Sequence, residues 1–236
     1  MVRSSIRQPE WSLVGIKILG RLAPECVEKL EDRCSWQRYK AGQVIVDYLD
    51  QSDEVFFIIS GEVRVTIYSL AGKAVSFRDL GPGEVFGEYP AIDRGPRSAS
   101  VEAHTSCLLA SLPGAGFREL IEKEPGVSQA MLPQLVSKIR ALTTRVYEFS
   151  TLVVSNRIQA EVLRLASDAP RSGNRARIEP APTHSEIASR VSTHREAVSR
   201  ELARLSRLGL IEREKNALVV RDLERLTEMV HTATGE

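Results

Sequence analysis

Apolar residues at heptad spacing mark the middle of this sequence of 236 residues. They recur at alternating steps of three and four, at Leu132, Leu135, Ile139, Leu142, Val146, Phe149 and Val153. Such a narrow stripe is typical of the seam of a coiled coil, whereas a helix packed on a globular core has a wider apolar face. We therefore predict one long helix over residues 132–153 that pairs with its copy in a second subunit. A helix buried inside one domain is the alternative, because the stripe covers only about three heptads.

The part of the sequence before this helix contains short runs of Val, Ile and Phe separated by glycines. These runs begin near Val44, Val55, Val63, Val75 and Ser98. β-Branched and aromatic residues favour strands, and glycine favours the turns between them. Several short strands without intervening helices indicate an all-β roll or barrel. Before them, residues 12–36 are predicted to form a flanking helix.

Two capping-box patterns follow in the last third of the sequence. Each places a threonine three residues before a glutamate, at Thr183 and Glu186 and again at Thr193 and Glu196. Because these side chains can satisfy the free N–H groups at a helix start, they predict two short helices joined by a tight turn. The predicted buried faces of the two helices are Ile187, Ala188 and Val191, then Val198, Leu202 and Leu205. This arrangement is typical of a helix-turn-helix, a DNA-binding motif.

These elements predict an α+β fold in three parts. The parts are a β-roll domain over residues 1–126, a dimerisation helix over 127–153 and a winged helix-turn-helix domain over 154–236. Within the last part, residues 168–182 are expected to form a polar loop, and residues 210–220 the hairpin of the wing.

Composition excludes several classes of protein. The 32 basic and 31 acidic residues give a net charge of +1, so overall charge provides no evidence on nucleic acid binding. No apolar run approaches the length of a membrane span and no signal segment is present, so we expect a cytoplasmic protein without a membrane partner. The three cysteines and four histidines are scattered, and no nucleophile or phosphate-loop motif occurs. We therefore predict no metal site, no catalytic residue and no enzyme activity.

Glu88 and Arg97 form the first candidate site, on either side of a short loop after Gly87. A cyclic phosphate ester of a nucleoside requires a carboxylate that accepts from the ribose hydroxyl, and a guanidinium that holds the phosphate. An apolar β interior excludes water and strengthens such an ion pair. A structural salt bridge between Glu88 and Arg97, without a ligand, accounts equally well for the spacing.

From about residue 39 to 214 the sequence resembles the cyclic AMP receptor protein and FNR superfamily of bacterial transcription regulators. The similarity is specific in residues 86–88 and 95–101, which resemble the phosphate-binding cassette of that family. The resemblance implies that the β-roll is a jelly-roll-like cyclic-nucleotide-binding domain. The contacts that it implies are Gly87 and Glu88 to the ribose, and Arg97 and Ser98 to the cyclic phosphate.

The dimer helix departs from the family at the contact with the base. Cyclic AMP receptor proteins place two neighbouring hydroxyl residues there, and this sequence has Leu142 and Thr143, so one contact is lost. Lys138 stands where the family often has an arginine, and it can pair with Glu88. The effector is therefore predicted to be cyclic AMP first and cyclic GMP second, with Lys138 and Thr143 among its contacts. A solvated flank of the coiled coil is the alternative role for both residues.

Arg195, Glu196 and Arg200 form the second candidate site, on the second of the two short helices. Their spacing places the three side chains near one another on one face. Arginine can donate two hydrogen bonds to guanine and glutamate can accept from cytosine in the major groove. Residues 193–202 also resemble the recognition helix of the family, which implies a TGTGA-like half-site. An exposed helix with internal salt bridges is the alternative.

The residues around this helix start raise two further expectations. His194 and Ser199 complete the predicted DNA-binding set as phosphate contacts or caps. Ser192 occupies the turn where the family usually has glycine, so we expect backbone strain there. Glu196 carries two conflicting roles, since a capping glutamate folds back on the backbone and a base reader extends.

The sequence thus predicts a homodimeric, allosteric transcription regulator gated by a cyclic nucleotide. Its predicted partners are palindromic double-stranded DNA and RNA polymerase. An effector acts only through its differential affinity for the state that places two recognition helices about 34 Å apart. Two alternatives stay open: the same DNA reader gated by another effector or by none, and a β-roll scaffold or enzyme with a degenerate helix-turn-helix.

Overall fold

The computed structural model describes residues 11–68 and 74–234 of the chain. These residues form two compact units, one built mainly from residues before Ile139 and the other mainly from Ile139 onwards. No helix in the described ranges has the length and apolar character needed to cross a lipid bilayer.

The first unit is mostly β structure. In chain order its elements are a 3₁₀ turn (Lys17–Leu19), α1 (Pro24–Glu31), β1 (Ser35–Tyr39), β2 (Val44–Val46), β3 (Val55–Ser60), β4 (Val63–Tyr68), β5 (Ala74–Leu80), β6 (Val85–Phe86), α2 (Glu88–Asp93), β7 (Ser100–Ala103), β8 (Cys107–Leu112) and α3 (Gly114–Lys123). The strands form two four-stranded sheets, with the orders β1-β8-β3-β6 and β2-β7-β4-β5. The predicted β-roll is therefore confirmed.

Strand β3 shows how the core of this unit is organised. Successive side chains of a strand point to opposite faces. Phe56 and Ile58 belong to the apolar cluster that both sheets share, whereas Val55 and Phe57 face a second cluster with α1 and α3. Because both faces are covered, β3 appears in the sequence as an unbroken apolar run.

The long helix α4 (Pro125–Thr151) starts before the predicted seam and ends before Val153. Met131 is buried in the core of the first unit, and Leu135, one turn further along the same face, packs against that core. Leu135 therefore contributes to this core, unlike the rest of the predicted seam. The other predicted seam residues are all exposed in the single chain: Leu132, Ile139, Leu142, Val146, Phe149 and Val153.

The second unit contains the rest of α4 and a small helical domain. Its further elements are α5 (Val154–Asp168), β9 (Arg171–Ser172), β10 (Arg175–Ile178), α6 (His184–Arg190), α7 (Arg195–Arg207), β11 (Ile211–Arg213), β12 (Leu218–Val220) and α8 (Leu223–Thr234). Helices α6 and α7 form the predicted helix-turn-helix, and β11 and β12 form its wing. The six residues predicted to be buried on α6 and α7 are all in the core. The α+β fold is confirmed.

Two local predictions are wrong, and one helix was missed. The helix expected over residues 12–36 is limited to α1, and β1 already begins at Ser35. The polar loop expected over residues 168–182 contains the hairpin β9–β10, whose Ala176 and Ile178 are buried against the core. Two apolar residues in a polar segment gave too weak an alternation to be recognised. Helix α8 was not predicted.

Candidate functional site

The loop of the predicted cassette follows β6 and contains α2. Gly87 ends the strand with a φ of +80°, in the left-handed region that glycine adopts without steric cost. A Cβ atom at Gly87 would lie 2.6 Å from Arg97 Nη1 and 2.7 Å from the carbonyl oxygen of Glu54. Glycine at this position therefore allows the arginine to approach the backbone closely.

Arg97 is only 2% exposed, and its guanidinium is held by the protein. Nε donates to Ser52 Oγ at 3.0 Å, and Nη1 donates to the carbonyl oxygens of Glu54 at 2.9 Å and Gly87 at 3.2 Å. Burial lowers the pKa of Arg97, and the negative charge of Glu54 opposes that change. Arginine stays charged in proteins, so the site contains a fixed, buried cation with the geometry that suits an anion.

The salt bridges of the cassette use partners other than the two predicted ones. Arg97 Nη2 donates to Glu54 Oε2 at 3.3 Å, and Lys138 Nζ donates to Glu88 Oε1 at 2.5 Å. A structural bridge between Glu88 and Arg97 is therefore wrong as an explanation of their spacing. The predicted pairing of Lys138 with Glu88 is confirmed, and Lys138 Nζ also lies 5.3 Å from the centre of the Tyr89 ring.

Four of the six predicted ligand contacts meet at one place in the first unit. They are Gly87, Glu88, Arg97 and Lys138. Ser98 is exposed in the same loop. Thr143 belongs to the second unit, where its exposed side chain donates from Oγ1 to the carbonyl oxygen of Ile139 at 3.0 Å.

Sequence reasoning missed Ser52 and Glu54, which hold the guanidinium. It also missed Asp50, whose carbonyl oxygen accepts from the N–H of Arg97 at 2.8 Å. A signal was present, because Asp47, Asp50, Asp53 and Glu54 place four carboxylates within eight residues just before β3. Of these four, Glu54 has the printed side-chain contact with the Arg97 guanidinium.

The first helix of the DNA-reading motif is capped as predicted. Thr183 Oγ1 accepts from the N–H of Glu186 at 3.1 Å, and Glu186 Oε2 accepts from the N–H of Thr183 at 2.8 Å. His184 Nε2 lies 3.2 Å from Arg213 Nη1 on the wing. Burial, Arg213 and Arg195 lower the pKa of His184, so the neutral ring can accept a hydrogen bond from Arg213.

The second predicted capping box is wrong. Helix α7 begins at Arg195 with His194 as its N-cap, and no side chain makes a capping bond there. Thr193 is buried in the turn, where its N–H donates to the carbonyl oxygen of Ala188 at 2.9 Å. Glu196 is therefore the second residue of the helix and not the third, so the conflict between capping and base reading is removed.

The predicted DNA-binding residues share the exposed side of the N-terminal half of α7. They are His194, Arg195, Glu196, Ser199 and Arg200. Within residues 11–68 and 74–234, none of the three charged side chains among them forms an ion pair. Further along the helix, by contrast, Arg204 is bound to Glu201 at 2.7 Å. The alternative, an exposed helix with internal salt bridges, therefore holds only for the second half of α7.

Ser192 adopts a φ of +51° in the turn, which confirms the expected strain. The left-handed conformation costs a residue with a side chain about 1 kcal/mol or more in the folded state. Glycine avoids this cost, but its greater freedom in the unfolded chain offsets part of the gain. We expect Ser192→Gly to raise the free energy of unfolding by about 0.5–1 kcal/mol, measured by urea denaturation. The matched variant Ser199→Gly, inside α7, should lower it by about 0.5 kcal/mol. A loss of stability at both positions would contradict the assignment of strain to Ser192.

Comparison with known families matches both units. A model described as the cyclic nucleotide-binding domain matches residues 36–124, and one described as the Crp-like helix-turn-helix domain matches residues 156–229. The chain belongs to the CRP/FNR superfamily of transcription regulators. This chain thus combines the cyclic nucleotide-binding domain and the DNA-binding domain of that superfamily, as its sequence predicted.

Curated relatives in the CRP/FNR superfamily cover most of the chain. The CRP-like cAMP-activated global transcriptional regulator of Mycobacterium tuberculosis is 26% identical over 89% of this chain and 94% of its own length. The cAMP-activated global transcriptional regulator Vfr of Pseudomonas aeruginosa is 28% identical over 82% of this chain and 92% of its own. Both are named as regulators of transcription and not as enzymes.

A solved structure has the same fold. CooA of Carboxydothermus hydrogenoformans, solved as a mutant, aligns with a TM-score of 0.74 and 21% identity. The alignment covers 84% of this chain and 88% of CooA.

Proposed function

We propose that the protein is a homodimer that binds palindromic double-stranded DNA under the control of a cyclic nucleotide. The observation that carries the proposal is the buried pair Glu88 and Arg97, 4% and 2% exposed, at the two ends of one short loop. Neither charge contributes to the apolar core, and each is held at its end of the loop by an oppositely charged side chain, Glu88 by Lys138 and Arg97 by Glu54. A ligand with a hydroxyl and a phosphate uses both.

The proposed contacts follow from the chemistry of the two ends of the loop. Glu88 accepts from a ribose hydroxyl, and Arg97 with Ser98 holds the cyclic phosphate. Lys138 holds Glu88 in place through their ion pair. The names of the cAMP-activated relatives support cyclic AMP as the first candidate effector, with cyclic GMP second. Thr143 stays a predicted contact with the base.

The proposed dimer uses the exposed stripe of α4. Ile139 and Val146 are 62% and 65% exposed in the single chain, and they continue a stripe with heptad spacing. An exposed apolar row of this length marks a protein interface. Two-fold pairing of α4 would place two copies of α7 on successive turns of a palindromic site, and binding of the effector would favour that arrangement. RNA polymerase completes the proposed partners, since a transcription regulator acts through it.

A smaller apolar side chain in the stripe should weaken the dimer. Val146→Ala removes two methyl groups from each subunit, so both copies of the interface lose apolar area, and we expect the dimer dissociation constant to rise about 100-fold. Thr144→Ala, an equal truncation at an exposed position of α4 outside the stripe, is the matched control and should change the dissociation constant little. Analytical ultracentrifugation over a dilution series measures both. A monomeric parent protein would contradict the proposed dimer.

The proposed function as a whole is tested by DNA binding with and without nucleotide. The full chain is titrated against a labelled duplex with two TGTGA half-sites, alone and with cyclic AMP or cyclic GMP, and nucleotide affinity is measured by calorimetry. We expect micromolar or tighter binding of one nucleotide and at least about tenfold tighter DNA binding in its presence. Arg200→Ala should weaken binding to this duplex by about 1–3 kcal/mol and affect a scrambled duplex much less. Equal DNA affinity in all conditions would instead support a constitutive regulator.

A further inference from the structure

The guanidinium of Arg97 has five N–H groups, and the protein uses four of them. Ser52 and the carbonyl oxygens of Glu54 and Gly87 take the N–H groups of Nε and Nη1. The Glu54 carboxylate takes one N–H of Nη2. Within the described part of the chain, only the second N–H of Nη2 is left for another acceptor.

The two edges of this guanidinium are held in different ways. The contacts of Nε and Nη1 are to the backbone and a short side chain, so they fix the position of Arg97. The contact of Nη2 is to the tip of Glu54, whose side chain is 44% exposed, and its length of 3.3 Å exceeds the 2.7–2.9 Å that is typical of strong charged hydrogen bonds. The Glu54 carboxylate therefore makes the weakest and most exposed of the printed contacts with this guanidinium.

We infer that the Glu54 carboxylate is an internal counterion that a cyclic phosphate displaces from Arg97, so that Glu54 sets the affinity of the cassette. This inference rests on the proposed function and names the residue that controls the affinity for the nucleotide. The cyclic phosphate carries one negative charge on two free oxygens, as a carboxylate does. Both anions suit the same edge of the guanidinium, and they repel each other when both are present.

The counterion also stabilises the buried guanidinium. A guanidinium buried to this extent is costly without a negative partner, and Glu54 supplies one from within the chain. The same contact opposes the ligand, because binding breaks it. A residue that only supports Arg97 would increase both stability and affinity, whereas an internal competitor increases stability and lowers affinity.

The test compares Glu54→Gln with the parent protein and with Asp50→Asn. Glutamine keeps the length of the side chain and an acceptor oxygen but removes the charge. Asp50 also acts on Arg97 through its charge, but its carboxylate makes no hydrogen bond to the guanidinium. In Asp50→Asn the amide oxygen of the new side chain would still accept from the N–H of Ser52, as the carboxylate does in the parent. Calorimetry with cyclic AMP and cyclic GMP gives the affinity of each full-length variant, and thermal unfolding without nucleotide gives its stability.

We expect Glu54→Gln to bind nucleotide about three- to tenfold more tightly than the parent and to unfold about 1–2 °C lower without it. Asp50→Asn should change the affinity less than about twofold. Equal or weaker binding by Glu54→Gln, or an equal gain in Asp50→Asn, would overturn the inference and leave the proposed function standing if the parent binds. If neither the parent nor Glu54→Gln binds either nucleotide, the inference and the nucleotide control fail together. Binding by Glu54→Gln alone supports both.

Discussion

Arg97→Lys is expected to weaken cyclic-nucleotide binding about 100-fold and to leave the protein folded. Lysine keeps the positive charge, but its single ammonium group cannot serve Ser52, two backbone carbonyls and a phosphate together. Hydrogen bonds to charged groups contribute about 1.5–3 kcal/mol each, so the loss of one or two phosphate contacts accounts for a change of this size.

The matched control for this substitution lies three residues earlier in the same loop. Arg94 is exposed, and Arg94→Lys should leave the affinity within about twofold of the parent. Calorimetric titration of both variants with cyclic AMP and cyclic GMP measures the difference, and circular dichroism checks the fold. Retention of parental affinity in folded Arg97→Lys would exclude the guanidinium as the phosphate contact.

The elements that the sequence predicted well are those that local chemistry determines. The capping box of α6 joins Thr183 and Glu186, three residues apart, and the left-handed turn at Ser192 lies between two periodic helices. The strand β3 was visible as an apolar run. The start of α7 moved by one residue because Thr193 is buried and its N–H is bound by Ala188, a tertiary detail that a pattern does not contain.

The charged residues of the candidate site show the same contrast between what local sequence determines and what tertiary structure determines. The residue types at Glu88 and Arg97 were sufficient to predict an anion site, but not their partners. Arg97 pairs with Glu54, 43 positions away, and Glu88 pairs with Lys138, 50 positions away. Such pairs depend on which strand lies beside the loop and on where α4 passes, and sequence spacing does not determine either. The resemblance to a family supplied Lys138, and only the acidic residues just before β3 indicated Glu54.

A buried cluster of charges that the sequence did not reveal joins α4, α5 and α6 within the second unit. Glu161 on α5 is fully buried, and Arg145, Arg164 and Arg190 surround its carboxylate. Arg145 Nη2 donates to Glu161 at 3.1 Å, and Arg145 Nη1 donates to the carbonyl oxygen of Arg190 at 2.6 Å. Burial lowers the pKa of Arg145, and the charge of Glu161 opposes this change. The carboxylate is thus the shared counterion that connects α4 to the DNA-reading motif.

Glu161→Gln should therefore destabilise the second unit by about 3–5 kcal/mol, because it leaves three partly buried arginines without the fully buried negative partner that they share. Urea denaturation followed by circular dichroism measures this loss, and DNA binding should be lost with the fold of the motif. Glu148→Gln is the matched control: Glu148 is also buried, but within the part of the chain that the structure describes its one salt bridge is to Arg164, so we expect about 1–2 kcal/mol. Equal losses for the two variants would show that Glu161 acts as an ordinary buried acid. A much larger loss for Glu161→Gln would establish that one carboxylate holds the three helices together.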